Sequence, residues 1–594
     1  MTQRLTKPAD RRLAISAVVV ALALAAQAAP AKDAASSAGA FACPAGDTGI
    51  TLSPGFCATV FADNLGHVRH LAVAADGTVY ANSWSGRYYH NDTPPPGGFL
   101  LALKDSKGTG HADIVKRFGD GTAEGAAGGT GIGLYNNAVY AEVNDRIVRY
   151  SLAPGQDVPS GKPDVVLSGM PLTGDHPMHP FIIDDKGQLF VDSGSATNSC
   201  QSDNRMPNSA GIQPCTELET RAGIWRYDAN KTGQVFSPAG RYATGLRNGE
   251  GFSFDSAGHL YATQHGRDQL SQNWPKLYTV EQGADLPAEE VVELRQGGDY
   301  GWPECYYDQN QKRLVLAPEY GGDGGKTAGV CAEKLAPVAA FPGHWAPNDL
   351  LIYNGTQFPK PYRGGAFVAF HGSWNRAPLP QGGYNIVFQP MTKGKASGPY
   401  VVFADGFGGA HKDPGRAAFR PTGLAMGPDG ALYVADDVHG RIWRITYRGD
   451  AASARIAPAP TPAADVASSD QPLPPEGMHP DAGRATATLP VPPGATREQV
   501  ALGDRIFHGE ASDGTCSGCH GSDAGGTSVG PALNKGVWVQ TDGSLDSITR
   551  TITAGVTRPR NYTGVMPPLG GAPLSQQDVA AVAAYVWAVG HAAK

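Results

Sequence analysis

Five consecutive residues near the carboxy-terminal end, Cys516, Ser517, Gly518, Cys519 and His520, read C-x-x-C-H. Two thiols one helical turn apart can add to the vinyl groups of haem, while the histidine that follows ligates the iron from below. A sixth ligand must come from downstream, and the only methionine after His520 is Met566, in the run Gly564 to Pro568. His520 and Met566 are the expected axial pair, and Cys516 and Cys519 the expected covalent anchors, of one haem c. His508 and His591 are rival ligands by type, with a surface position the alternative for each. Zinc binding or dithiol redox chemistry is the other use of C-x-x-C.

A haem needs helices to hold it. Leu502 to Phe507 lies on an expected first helix, and Gln576 to Val589, with Tyr585 and Trp587, has the apolar spacing of a closing helix. From about 496 to 594 the chain resembles a class I cytochrome c, a small all-α domain. Ahead of it, 451–495 is rich in Ala, Pro, Ser and Thr, with ten prolines between Ala451 and Gly494. Such a stretch cannot bury a core and reads as a linker, extending by about 3 Å per residue where proline-rich.

Haem attachment through this motif takes place outside the bacterial cytoplasm, and the amino-terminal end agrees. Arg4, Lys7, Arg11 and Arg12 precede the apolar run Leu13 to Ala26, and small residues follow at Ala26 and Ala28. This reads as an export signal over 1–28, implying a periplasmic location, because the apolar run is shorter than the roughly 20 residues a membrane span needs. No second stretch approaches that length, so no stable membrane insertion is expected. The six cysteines Cys43, Cys57, Cys200, Cys215, Cys305 and Cys331 fall as three sequence-local pairs, which in an exported protein reads as three disulfides. Six cysteines allow 15 connectivities, and buried free thiols are the alternative. Lys plus Arg number 48 against 55 Asp plus Glu, a net charge of −7. A basic surface for a phosphate backbone is missing, so nucleic acid is not an expected partner.

With 594 residues the chain exceeds one ordinary core, and its 78 glycines and 47 prolines favour many short strands joined by turns. A recurring unit has an apolar strand, a small turn with Gly or Asn, and a second apolar or aromatic strand. It occurs at Leu71 to Tyr80, Ile132 to Tyr140, Phe181 to Phe190, Phe252 to Tyr261, more loosely Leu350 to Phe370, and Leu424 to Tyr433. Asp-Gly between alternating apolar runs is a strong hairpin signal. Six copies within 43–450 point to a mainly β fold, a six-bladed propeller with decorated loops, and a series of β-sandwiches is the alternative.

Several stretches in this region carry a resemblance: Gly174-Asp175-His176; Gly245-Leu246-Arg247-Asn248; Gly297 to Pro303; His371 to Arg376; and Arg420 to Gly423 followed by Asp436-Asp437. Taken in order, they resemble the glucose/sorbosone dehydrogenase family, six-bladed quinoproteins that use pyrroloquinoline quinone (PQQ) and calcium. The resemblance implies that His176 is the base taking a hydroxyl proton, a task that suits an imidazole near neutral pH. It implies that Arg247 stabilises charge growing on the quinone oxygen, and that Asn248 touches the cofactor. Arg376 and Arg420 are the candidate partners of the PQQ carboxylates, with Lys412 and Arg416 further ones. Calcium is implied on the backbone carbonyls of Gly266 and Arg267, and a second calcium on Glu290 with the Tyr300 carbonyl, for which a solvated charge at Glu290 is the alternative.

Departures from the family pattern narrow the expectation. Gly194-Ser195 stands where bacterial soluble glucose dehydrogenases have Gly-Asp, so a true glucose dehydrogenase is not expected. His179 stands where sorbosone-type relatives often have arginine, which makes it a competitor of His176 for the base. The expected activity is oxidation of an aldose or sorbosone-like aldehyde, with electrons passing to the haem and on to an external acceptor. A calcium-dependent propeller lactonase or esterase and a non-catalytic propeller platform are the alternatives. Substrate choice is expected to lie in loops such as Ser199 to Thr220 and Asp308 to Thr327.

Overall fold

The computed structural model describes residues 43–592 except 45, 47, 84–95, 120–128, 377–378, 410–411, 413–416, 453, 461–487, 509–510, 513, 515, 522–523, 527–529, 561, 563–565 and 573. The expected export signal, Arg416 and most of the expected linker lie outside these residues.

Each expected repeat forms the first hairpin of a sheet. Leu71 pairs with Ala81, Ile132 with Ala141, Phe181 with Val191, Phe252 with Ala262, Leu350 with Val368 and Leu424 with Val434, all antiparallel. Two further strands in three sheets and three in the other three complete six sheets, which are the blades of a six-bladed β-propeller. In the first blade the strands are Val68–Val73, Val79–Ser83, Leu100–Lys104 and Ile114–Phe118. The sixth blade joins Pro421–Met426, Leu432–Asp436 and Ile442–Tyr447 to Phe56–Ala62 from the start of the described chain, so the ring closes by pairing its two ends. Closing the ring this way ties the two ends of the propeller together, with Phe56–Ala62 as the edge strand that covers Ile442–Tyr447.

Apolar side chains from neighbouring blades interleave. One cluster joins Phe56, Phe358, Tyr362, Phe367, Phe388, Phe403 and Trp443 between the fifth and sixth blades. Another joins Phe190, Leu246, Phe252 and Tyr300 between the third and fourth. Three disulfides, Cys43–Cys57, Cys200–Cys215 and Cys305–Cys331, match the local pairs read from the sequence. The first anchors the ring-closing strand, and the other two pin the loops decorating the third and fourth blades.

Four helices form the carboxy-terminal part: Arg497–Phe507, Cys516–His520, Leu545–Ala554 and Gln576–Gly590. Thr496 and Ser575 open the first and last with reciprocal capping boxes to Gln499 and Asp578. These two helices cross at Gly503, whose missing side chain lets the Ala581 carbonyl press against the backbone. Val500, Ile506, Phe507, Val582, Tyr585 and Val586 pack around the crossing. No helix among the described residues is long and apolar enough to cross a membrane.

Candidate active site

Antiparallel pairing puts the start of each blade's inner strand beside the end of its second strand, at one end of the propeller. Two sets of side chains therefore converge there. From the approaches to the inner strands come His67 and Arg69, His176 and Met178, Asn248 and Glu250, Ala346 and Asn348, and Arg420. Their i, i+2 spacing is the strand period that turns alternate residues inward. Loops after the second strands supply His265, Asp268, Gln269, His371, Asn375 and Asp437. These groups line a cavity of about 640 Å³.

His176 is buried on the cavity wall, with Nδ1 3.0 Å from both the Ser195 carbonyl oxygen and Ser195 Oγ. A carbonyl only accepts, so Nδ1 carries the proton and Nε2 keeps its lone pair, the tautomer a base requires. Ser195 Oγ donates to the Thr197 carbonyl at 2.6 Å, which leaves its own lone pairs for the imidazole N–H. Burial, and then the charge of Arg247, hold the His176 pKa well below its usual 6.5. Gly194 explains how this wall closes: a Cβ there would meet His176 Cβ at 2.6 Å and Asn248 Oδ1 at 2.9 Å. His179 does not line the cavity. Its two ring nitrogens lie 3.1 Å from the Asp192 carbonyl and 2.8 Å from the Pro171 carbonyl, so neither faces a substrate.

Arg247 is 3% exposed and held on four sides. It donates to the Asn198 carbonyl at 3.1 Å, Asn198 Oδ1 at 3.0 Å, the Gly266 carbonyl at 2.9 Å and Asp268 Oδ2 at 2.9 Å. Asp268 also takes Arg205 at 3.0 Å and Asn375 Nδ2 at 2.9 Å. Across the cavity, Arg420 spends two donors on the carbonyls of His371 and Gly372, and Arg69 pairs with Asp437 at 2.7 Å while His371 Nε2 lies 2.9 Å from the other Asp437 oxygen. Arg205, Asp268, His371 and Asp437 were given no role by sequence reasoning. His371 and Asp437 sat inside quoted motifs, whereas Arg205 and Asp268 carried no signal, because only ring closure and the Cys200–Cys215 loop bring them to the site.

A planar polycarboxylate fits this wall. Arg69, Arg205, Arg247 and Arg420 supply the positive charge that its carboxylates need, while buried Asn248 Oδ1 and Asn375 Oδ1, acceptors with no hydrogen-bond partner among the described residues, would take a donor such as a ring N–H. Other expected ligands lie elsewhere. Arg376 is outside the cavity, donating to the Gly343 and Pro380 carbonyls and pairing with Asp285 at 3.2 Å. Lys412 pairs with Asp405 at 3.5 Å. The Gly266 carbonyl, expected on calcium, accepts from Arg247, so its nearest charge is a guanidinium, a poor neighbour for a hard cation. Arg267 turns its side chain to Glu319 at 2.7 Å. Buried Glu290 meets Gln264 at 3.4 Å and is pushed up to about 8, whereas the Tyr300 hydroxyl donates to the Glu293 carbonyl at 2.6 Å. Among the described residues no group of three or more His, Cys, Asp or Glu side chains is placed to hold a metal ion.

The same cavity continues between the carboxy-terminal helices, where Cys516, Cys519, His520 and Met566 line it together with Phe507, Leu533, Trp538, Ile552, Val582 and Val586. His520 Nδ1 donates to the Pro531 carbonyl at 2.9 Å, which leaves Nε2 as the ligating nitrogen. Gly530 gives the space, since a Cβ there would sit 2.8 Å from the Cys519 carbonyl oxygen. Met566 is held by a two-hydrogen-bond bridge to Val556. The sulfurs, imidazole and thioether thus share one apolar slot of the kind a haem fills. Neither rival histidine lines the slot: His508, buried where a surface position was the alternative, has Nδ1 2.8 Å from the Asp504 carbonyl, and the His591 ring stacks on Trp587 with centroids 4.0 Å apart.

Comparison with known proteins agrees with both halves. Residues 50–448 match the TrAA12-like family, and residues 499–586 match cytochrome c oxidase, cbb3-type, subunit III. A pyrroloquinoline quinone-dependent pyranose dehydrogenase of Coprinopsis cinerea is 29% identical over 242 residues, covering 34% of this chain and 30% of that protein. The cbb3-type oxidase subunit CcoP of Rubrivivax gelatinosus is 36% identical over 89 residues, 15% of this chain and 25% of that one. The chain spans less than half the length of the curated relatives it matches. Among solved structures, the holo PQQ domain of the Coprinopsis cinerea pyranose dehydrogenase superposes with a TM-score of 0.53 at 20% identity, over 68% of this chain and 98% of that one. With the family matching two thirds of its length, the chain belongs to the TrAA12-like family, as a propeller like that of the PQQ-dependent sugar dehydrogenases followed by a cytochrome c domain.

Proposed function

We propose that the protein is a periplasmic quinohaemoprotein dehydrogenase that oxidises a sugar or sugar-derived aldehyde and passes the electrons through its own haem to an external acceptor. One observation carries this reading. A single cavity joins a base-competent histidine and a fixed guanidinium to a C-x-x-C-H slot. PQQ, when bound, accepts the hydride equivalent of a C–H/O–H pair, and haem c, when attached, accepts single electrons.

The chain's residues have these roles in the reading. His176 Nε2 takes the proton from the substrate hydroxyl or hydrated aldehyde, while Ser195 holds the ring in the working tautomer. Arg247, neutralised only in part by Asp268, offers fixed positive charge where negative charge develops. Asn248, Arg420 and Arg69 hold the cofactor's polar edge, and Cys516, Cys519, His520 and Met566 hold the haem. Calcium is implied by the family resemblance alone: the Gly266 carbonyl expected to hold it accepts from Arg247, the residues present do not fit it there, and no step is derived through it. The chain is divided as export signal 1–28, propeller 43–450, linker 451–495 and cytochrome domain 496–594.

Dye-coupled turnover with a panel of aldoses and sugar aldehydes, with and without added PQQ, tests this assignment. Activity should require PQQ. His176→Gln should lower kcat by about 10²–10⁴-fold and Arg247→Met by about 10²–10³-fold. Turnover without PQQ, or a fully active His176→Gln variant, would sink it.

A further inference from the structure

The propeller and the cytochrome meet at a defined place. Arg205, in the loop pinned by Cys200–Cys215, donates to Gln269 Oε1 at 3.1 Å and to Asp268 Oδ2 at 3.0 Å. Asp268 Oδ2 in turn takes Arg247 at 2.9 Å, so a continuous polar chain runs from the active-site guanidinium to Gln269. Gln269 has a left-handed backbone, φ 60°, which turns the chain into the short helix Leu270–Asn273 at the cavity edge. Its side-chain amide lies directly against Gly571 of the cytochrome, leaving no room for a Cβ at that position.

Gly571 closes three successive left-handed residues, Leu569, Gly570 and Gly571, with φ of 59°, 66° and 83°. This turn follows Met566-Pro567-Pro568 and brings Gly570 within 3.8 Å of Cys516 Sγ, counted from a Cβ placed on it. The contact therefore lies beside both an expected iron ligand and an expected haem anchor. The haem slot and the His176 wall line one cavity.

We propose that Arg205, Asp268 and Gln269 form an intramolecular docking surface for the chain's own cytochrome, with the Leu569–Gly571 turn as its counterpart. Resting on the dehydrogenase reading above, this surface is the crossing point for the electrons. Oxidation of one C–H/O–H pair releases two electrons and two protons. The electrons cross singly, the external acceptor removing the first before the second follows, and the protons leave through His176 and solvent. The small size of Gly571 is what lets the neutral Gln269 amide come against the turn's backbone.

The test has two arms. In the full-length, haem-loaded protein, Gln269→Cys with Gly571→Cys should cross-link on air oxidation, detected by peptide mass mapping. A control pair, Lys107→Cys with Gly571→Cys, should not, because Lys107 is an exposed residue of the first blade. Cross-linking no greater than in the control overturns the docking surface, whatever the enzyme's activity. In the second arm, Gly571→Trp should slow anaerobic haem reduction by substrate at least ten-fold, with dye-coupled activity and the haem spectrum kept. An unchanged haem reduction rate overturns the crossing point. Absence of PQQ-dependent dye activity in the unaltered protein would instead remove the dehydrogenase reading and leave the cross-linking result standing.

Discussion

A buried imidazole becomes a base by losing competition for its proton, and His176 shows how. Burial first, and the Arg247 charge second, hold its pKa well below 6.5, so the neutral form dominates at every pH above that depressed value. The acid limb of kcat/KM should therefore fall well below pH 6.5. Arg247→Met removes the repelling charge and should move that limb upward. Ser195→Asp would place a carboxylate against Nδ1–H and raise it by about 1–3 units. A pH profile of the three proteins checks all of this, and an unaltered acid limb already at 6.5 or above would count against the assignment. The family resemblance, carried by Gly-Asp-His and Leu-Arg-Asn, pointed to His176 and Arg247, and both line the cavity. Arg205 and Asp268 were not legible, since each is a lone charge in a loop whose partners are tens of residues away. The expected Arg376 was misplaced relative to the cavity for a local reason: the Gly343 and Pro380 carbonyls and Asp285 draw its guanidinium aside.

At the scale of elements, close approach depends on a few glycines. The crossing of Arg497–Phe507 with Gln576–Gly590 leaves no space at Gly503, where a Cβ would meet the Ala581 carbonyl and also Tyr585 Cβ at 2.8 Å. Gly503→Ala should cost about 1–3 kcal/mol of overpacking strain, read as an earlier urea midpoint of the haem absorption band. A midpoint unchanged from the parent would mean that the helices part without cost. Blades were readable because each begins with an alternating hairpin, turned by Asp-Gly in the first and sixth, which local chemistry alone specifies. The additions were not. Thr51–Leu52, Gln234–Val235 and Gly298–Asp299 add fifth strands to three blades, and Phe56–Ala62 closes the sixth from the other end of the chain. Two-residue strands and long-range pairings leave no period in the sequence to read.

Over the whole molecule, buried titrating groups pull stability in opposite directions. His70, His179 and His371 are lowered to about 4 and His265 to about 3, so unfolding takes up protons below pH 6.5 and acid destabilises. Glu142, Glu289 and Asp436 are raised to about 7 and Glu290 to about 8, so above their ordinary values unfolding releases protons and alkali destabilises. Between about pH 4 and 6.5 the two sets oppose each other. Above 6.5 only the carboxylates act, and Tm should fall from pH 6.5 to 8; a Tm that rises over that interval would contradict these protonation states. The docking of cytochrome on propeller was invisible in sequence, because residues 269 and 571 share neither motif nor period and only the folded chain brings them together. That juxtaposition makes the central claim directly measurable, by visible absorption of the haem-loaded protein under anaerobic conditions after reconstitution with calcium and PQQ. Addition of a sugar or sugar aldehyde should produce reduced c-type bands only when PQQ is present. Haem that dithionite reduces but that stays oxidised with PQQ and every substrate of the panel would contradict the account.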